Sequence, residues 1–137
     1  MSILNFCDET SAVVPVTATV AEAIRQMMDN EVGATAVVDD NGVVAGIFTE
    51  RDVMRKVAMS GRKPSEVAVR EVMTTPVVMA TREITPAEAL AVMVEAHHRH
   101  LPIVDDDGKL LGTLSIRHLL QAKIDALTSQ LQTTSRA

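Results

Sequence analysis

A chain of 137 residues that is 47% hydrophobic is one domain's worth of protein and buries enough apolar surface to fold without a staple. Its net charge of −5 opposes a phosphate backbone at long range, and with two phenylalanines as its only aromatic residues it lacks the platforms on which single-stranded nucleic acid stacks. The single cysteine, Cys7, rules out an intrachain disulfide or a cysteine zinc cage, no apolar run approaches ~18 residues, and the N-terminus has no signal-peptide pattern; a cytoplasmic protein with neither nucleic acid nor membrane as partner is expected.

In chain order, Val13 to Val16 reads as a short strand. Val20, Ala23, Ile24, Met27 and Met28 then fall at helical spacing on one buried stripe, with Thr19 as the N-cap. Thr35 to Val38 and Val43 to Phe48 are apolar strands joined by an acidic turn ending in Asn41-Gly42, a hairpin signal because such turns need positive φ. Thr49 opens a further helix, and Ser60 through Glu66 is a polar linker. The same grammar returns afterwards: a strand at Val77 to Met79, a helix capped by Thr85 with Pro86 at its first position, strands at Leu101 to Val104 and Leu110 to Leu114 around Asp107-Gly108, and a helix from Ser115. Leu120, Ile124, Leu127 and Leu131 give that last helix an apolar stripe of less than two heptads, fit to cover the second core or meet a partner subunit. The tail Gln132 to Ala137 carries no large apolar anchor and is expected to be mobile.

The recurrence is a duplication. A shift of 66 residues aligns the halves without a gap and makes eleven residues identical, among them Thr19 with Thr85, Glu22 with Glu88, Val38-Asp39-Asp40 with Val104-Asp105-Asp106, and Gly42, Gly46 and Arg51 with Gly108, Gly112 and Arg117. Each copy is a β-α-β-β-α unit too small to cover both faces of its own sheet. The expected fold is therefore α+β, an α/β sandwich of two repeats packed as a pseudo-twofold pair, sheet against sheet or helix against helix.

In order and duplication, Val72-Met73-Thr74, Leu101-Pro102-Ile103-Val104-Asp105, Gly46-Ile-Phe-Thr-Glu-Arg-Asp52 and Gly112-Thr-Leu-Ser-Ile-Arg-His118 resemble a pair of cystathionine β-synthase (CBS) domains, the tandem Bateman module, here standing alone. The resemblance covers about residues 8 to 125. It divides a single module, residues 1–137, into a first repeat at 8–58, a linker at 59–70, a second repeat at 71–125, and a C-terminal helix extension and tail at 126–137. It implies an adenosine-containing ligand, AMP, ADP, ATP or S-adenosylmethionine, held between the repeats as a regulatory ligand with no cofactor required. It further implies homodimers and a separate effector protein.

Thr49-Glu50-Arg51-Asp52 is the leading site. A hydroxyl at a helix start with a carboxylate three residues on lies beside free backbone N–H groups, which attract phosphate; the same pattern is also a capping box that needs no ligand. By resemblance Thr49 contacts phosphate and Asp52 accepts from ribose hydroxyls, while Gly33, Ala34, Thr74, Val78, Met79, His98 and Arg99 complete the wall. Val78 and Met79 would sandwich the base, and Arg99 would pair with phosphate. In the second copy Ser115 keeps the hydroxyl, but His118 stands where the ribose-binding carboxylate is expected. A histidine cannot offer two carboxylate oxygens to a diol, so a weaker second site is expected there.

Other constellations read blandly. His97-His98-Arg99-His100 carries three of the four histidines, but an arginine among them opposes a cation, and a polar lip on the cleft is the better reading. The acidic turns lack the alternation of a calcium loop, and Cys7 has no basic neighbour to activate it at an unanchored N-terminus. Ser115 and His118 have no identifiable third member, so the protein is not expected to be an enzyme. The alternative to a ligand sensor is a dimerisation scaffold with vestigial clefts.

Overall fold

The computed structural model describes residues 2–7 and 12–135 and contains two three-stranded sheets. The first repeat comprises β1 (Val13–Pro15), α1 (Val20–Asp29), β2 (Ala34–Val38), β3 (Val44–Thr49) and α2 (Glu50–Asp52). The second comprises β4 (Ala80–Thr81), α3 (Pro86–Ala96), β5 (His100–Val104), β6 (Leu110–Ser115) and α4 (Ile116–Ser135). In each sheet the first strand runs parallel to the second, and the second pairs antiparallel with the third.

The duplication extends to backbone detail. Thr19 with Glu22 and Thr85 with Glu88 both close capping boxes at the helix starts. Glu31 and His97, one shift apart, both follow their helices with positive φ, 54° and 58°, and the hairpin glycines Gly42 and Gly108 have φ of 82° and 83°. The two antiparallel ladders slip at matching places, between Val37 and Val38 and between Ile103 and Val104.

The halves meet through their hairpins. The Val44 N–H donates to the Gly108 carbonyl at 3.1 Å, and the Leu110 N–H donates to the Gly42 carbonyl at 3.3 Å. These bonds exchange places under the 66-residue shift, the reciprocity a twofold axis imposes. Each repeat's lead-in also crosses to its neighbour. Val67 and Val69 join the first core, with Phe48, Val37 and Met27, whereas Ile3 joins the second, with Leu101, Ile103, Leu114 and Met93.

Several expectations need correction. The strand placed at Val77 to Met79 forms instead at Ala80–Thr81, because the ladder pairs Ala80 with Ile103 as it pairs Val14 with Val37, the same register under the 66-residue shift. The helix opened by Thr49 is one α turn that widens at Val53–Val57, where the Ala58 N–H reaches back five residues to the Val53 carbonyl at 2.8 Å. α4 continues to Ser135 through most of the expected mobile tail, and the last two tail residues lie outside the described ones. Cys7 is held by a bridge to Leu114 and packs on Gly112, where a Cβ would lie 3.2 Å from its own. Residues 60–66 are exposed, whereas Val67 and Val69, also within the expected linker, are buried.

Candidate functional site

The end of β3, the turn of α2, the lead-in of the second repeat and the loop between α3 and β5 converge on a cleft of about 560 Å³. That is within the ordinary range for small-molecule sites. Thr49 terminates β3 and caps α2, because its extended backbone leaves its hydroxyl oxygen to accept from the Asp52 N–H at 3.3 Å. The Thr49 N–H donates in return to Asp52 Oδ2 at 3.0 Å, so the capping box expected of this motif is formed.

Asp52 is only 5% exposed, and its carboxylate is crowded with donors. The Thr49 hydroxyl reaches Oδ2 at 3.2 Å, and the Thr74 hydroxyl lies 3.0 and 3.2 Å from Oδ1 and Oδ2. The Lys56 ammonium sits 3.1 Å from Oδ1 and also donates to the Val72 carbonyl at 2.9 Å. Lys56 thereby ties the α2 turn to the lead-in of the other repeat. That lead-in is fixed alongside β3 by a pair of bonds between Ile47 and Thr74, and Met73 packs over Gly46.

Of the residues expected to line the site, Gly33, Thr49, Asp52, Thr74, Val78, His98 and Arg99 do so. Ala34 and Met79 do not. Ala34 is 4% exposed within β2, opposite Thr49 in the ladder, and Met79 is 41% exposed but lies outside the cleft. The apolar wall is built instead from Ile47, Met54, Pro76, Val77 and Val78. Gly33 leaves room for neighbouring side chains: a Cβ there would lie 3.0 Å from Glu50 Oε1 and 3.4 Å from the His100 ring.

The floor and rim are cationic. Arg51, Arg55, Lys56 and Arg99 face the cleft against two carboxylates, Glu50 and Asp52, on a molecule whose net charge is −5, and His97, His98 and His100 complete the lip. Among the described residues no three His, Cys, Asp or Glu side chains gather to hold a metal ion. Likewise, no helix among them is long and apolar enough to cross a membrane.

The family model for the CBS domain matches this chain twice, at residues 7–59 and 69–125, with one match on each side of the cleft. The chain belongs to the CBS-domain family. A CBS-domain protein from Agrobacterium tumefaciens superposes with a TM-score of 0.78 and 29% identity, covering 90% of this chain and 99% of that one. An uncharacterized protein of Methanopyrus kandleri is 36% identical over 107 residues, which are 78% of this chain. The chain spans about half of that relative's length, 55%. The fold is shared as well by CBSX2, whose crystal structure holds AMP, at a TM-score of 0.76 and 22% identity, covering 91% of this chain and 97% of CBSX2. A CBS pair is a regulatory module, and this chain folds as one.

The two CBS repeats carry different residues at the matching positions. Ser115 accepts from the Arg117 N–H at 3.2 Å, two residues on rather than three, and the position of Asp52 is taken by the exposed His118. Where the first cleft has Arg55, Lys56 and Arg99, the shift places Gln121, Ala122 and Gly33; where it has the three histidines, the shift places Glu31, Val32 and Ala34. Of the first cleft's four cations only Arg51 has a cationic counterpart, Arg117. Arg55 and Lys56 went unread in the sequence because an ordinary helix after Thr49 gave no reason to turn them toward the second repeat. The signal that would have found them is this same comparison of copies.

Proposed function

We propose that this CBS pair is a ligand sensor whose first cleft takes an adenine nucleotide and whose occupancy is read by a separate protein. The observation that carries the proposal is the pairing, in one cleft between the repeats, of the buried carboxylate of Asp52 with four cationic side chains. A carboxylate suits a ribose diol and cations suit phosphate, while the apolar wall from Ile47 to Val78 suits a base. The AMP held by CBSX2 is in keeping with this reading. S-adenosylmethionine fits less well, because its sulfonium would enter a cleft already rich in positive charge. The proposed output is a shift in the packing of the two repeats. Its energy would come from unequal affinity of the ligand for two arrangements of the repeats.

The test is a thermal-unfolding series with AMP, ADP, ATP, S-adenosylmethionine, NAD and GTP on the wild type and Asp52→Ala. A ligand at ~100 times its dissociation constant adds about 2.7 kcal/mol and raises the midpoint by several degrees. We expect a rise with adenine nucleotides that disappears in the variant; a flat series on the wild type overturns the proposal.

The scaffold reading rests on a different observation. On α4, Leu120, Ile124, Leu127 and Leu131 are 42%, 55%, 53% and 68% exposed, an apolar stripe left uncovered by the chain itself. We propose that a second copy covers it in a homodimer. Analytical ultracentrifugation should give a dimer that Ile124→Lys dissociates; a monomeric wild type refutes this.

A further inference from the structure

Asp52 is already saturated. A carboxylate has about four lone-pair sites, and in this cleft the Thr49 N–H, the Thr49 and Thr74 hydroxyls and the Lys56 ammonium converge on them around a side chain 7% exposed. A ribose diol can reach it only by displacing a partner. The Thr49 N–H is fixed by the backbone, and the two hydroxyls ride on short side chains held by the cap and by the bonds between Thr74 and Ile47. Lys56 differs from all three: its ammonium rides on a long flexible stem and its side chain is 41% exposed.

We propose that Lys56 is a specificity-determining residue that makes binding conditional on the ligand carrying a phosphate together with its sugar; this rests on the nucleotide reading of the cleft. The ammonium occupies the sugar's place on Asp52. A sugar hydroxyl that takes over Oδ1 drives the ammonium off, and a neutral nucleoside offers it nothing in return. A phosphorylated nucleoside brings an anion into the same cleft, so the ammonium exchanges one anionic partner for another while its bond to the Val72 carbonyl can persist. The exchange is peculiar to the first repeat, since Ala122 holds the matching position in the second.

Isothermal titration of the full chain with AMP and with adenosine, on the wild type and Lys56→Met, tests the exchange. Methionine keeps the length of the stem without the charge. AMP should bind several-fold more weakly to the variant and adenosine several-fold more tightly, so that the preference for AMP falls by about tenfold or more. Lys56→Gln, which retains a donor for Val72, should behave alike and separates the charge from the tie to the lead-in. An unchanged ratio of the two affinities in both variants, with AMP still binding, overturns the role of Lys56 alone. Failure of the wild type to bind AMP overturns the nucleotide reading itself.

Discussion

Gly46 and Gly33 show how differently two glycines constrain the same region. A Cβ on Gly46 would collide with the Sδ and Cγ of Met73, which is packed against the first core, so Met73 must move with the lead-in that carries it. Gly46→Ala should cost about 1–3 kcal/mol, read from the urea midpoint. At Gly33 the nearest obstacle is the carboxylate end of an exposed Glu50 side chain, which can swing away. Gly33→Ala should leave stability within about 1 kcal/mol of the wild type yet weaken nucleotide binding, because the added methyl group projects toward the cleft. The coincidence of Gly46 with Gly112 under the shift was visible in the sequence, but its cause was not: Met73 and Cys7 are themselves one shift apart, and each fills the space its partner glycine leaves.

At the scale of elements, the helix starts were legible because their chemistry is local. Thr85 and Glu88 announce α3, and hydrogen bonds from the Thr85 side chain, then from its backbone N–H, hold the Glu88 carboxyl below its ordinary value of 4.5. A carboxyl whose pKa falls on folding stabilises the fold only while ionised, so its contribution is complete above that ordinary value and is lost as pH falls through the lowered one. Thr85→Ala should remove about 1 kcal/mol of cap stabilisation near neutral pH and return the Glu88 titration, followed by NMR, toward its ordinary value. Elements fixed by distant partners were not legible. The register of β4 is set by Ile103 and Val104, more than twenty residues away, and the widened turn at Val53–Val57 leaves no mark in residue type. The cleft followed the same rule. Thr49, Asp52 and Thr74 were read from motif, whereas the inward face of Lys56 and the outward face of Met79 depend on the path of the chain in three dimensions.

For the whole molecule, the crossed lead-ins decide how it unfolds. Val69, fully buried, belongs by sequence to the approach to the second repeat and by packing to the core of the first; Ile3, 1% exposed, opens the chain and closes the second core. Val69→Ala should cost about 2 kcal/mol and Ile3→Ala about 2–4 kcal/mol. Each should lower one shared calorimetric transition, since neither core is complete without the other half's chain; two separable transitions would refute this coupling. The reciprocal bonds between Val44 and Gly108 and between Leu110 and Gly42 lead further back. A lone repeat would leave its core open where a lead-in belongs, so the unit that was doubled could have closed it only by lending that segment to an identical neighbour and borrowing one in exchange. Fusion of such a swapped pair gives each copy its own sequence to vary. It thereby accounts for a lysine at position 56 and an alanine at the matching position 122, so that the two sides of one duplicated fold carry different residues.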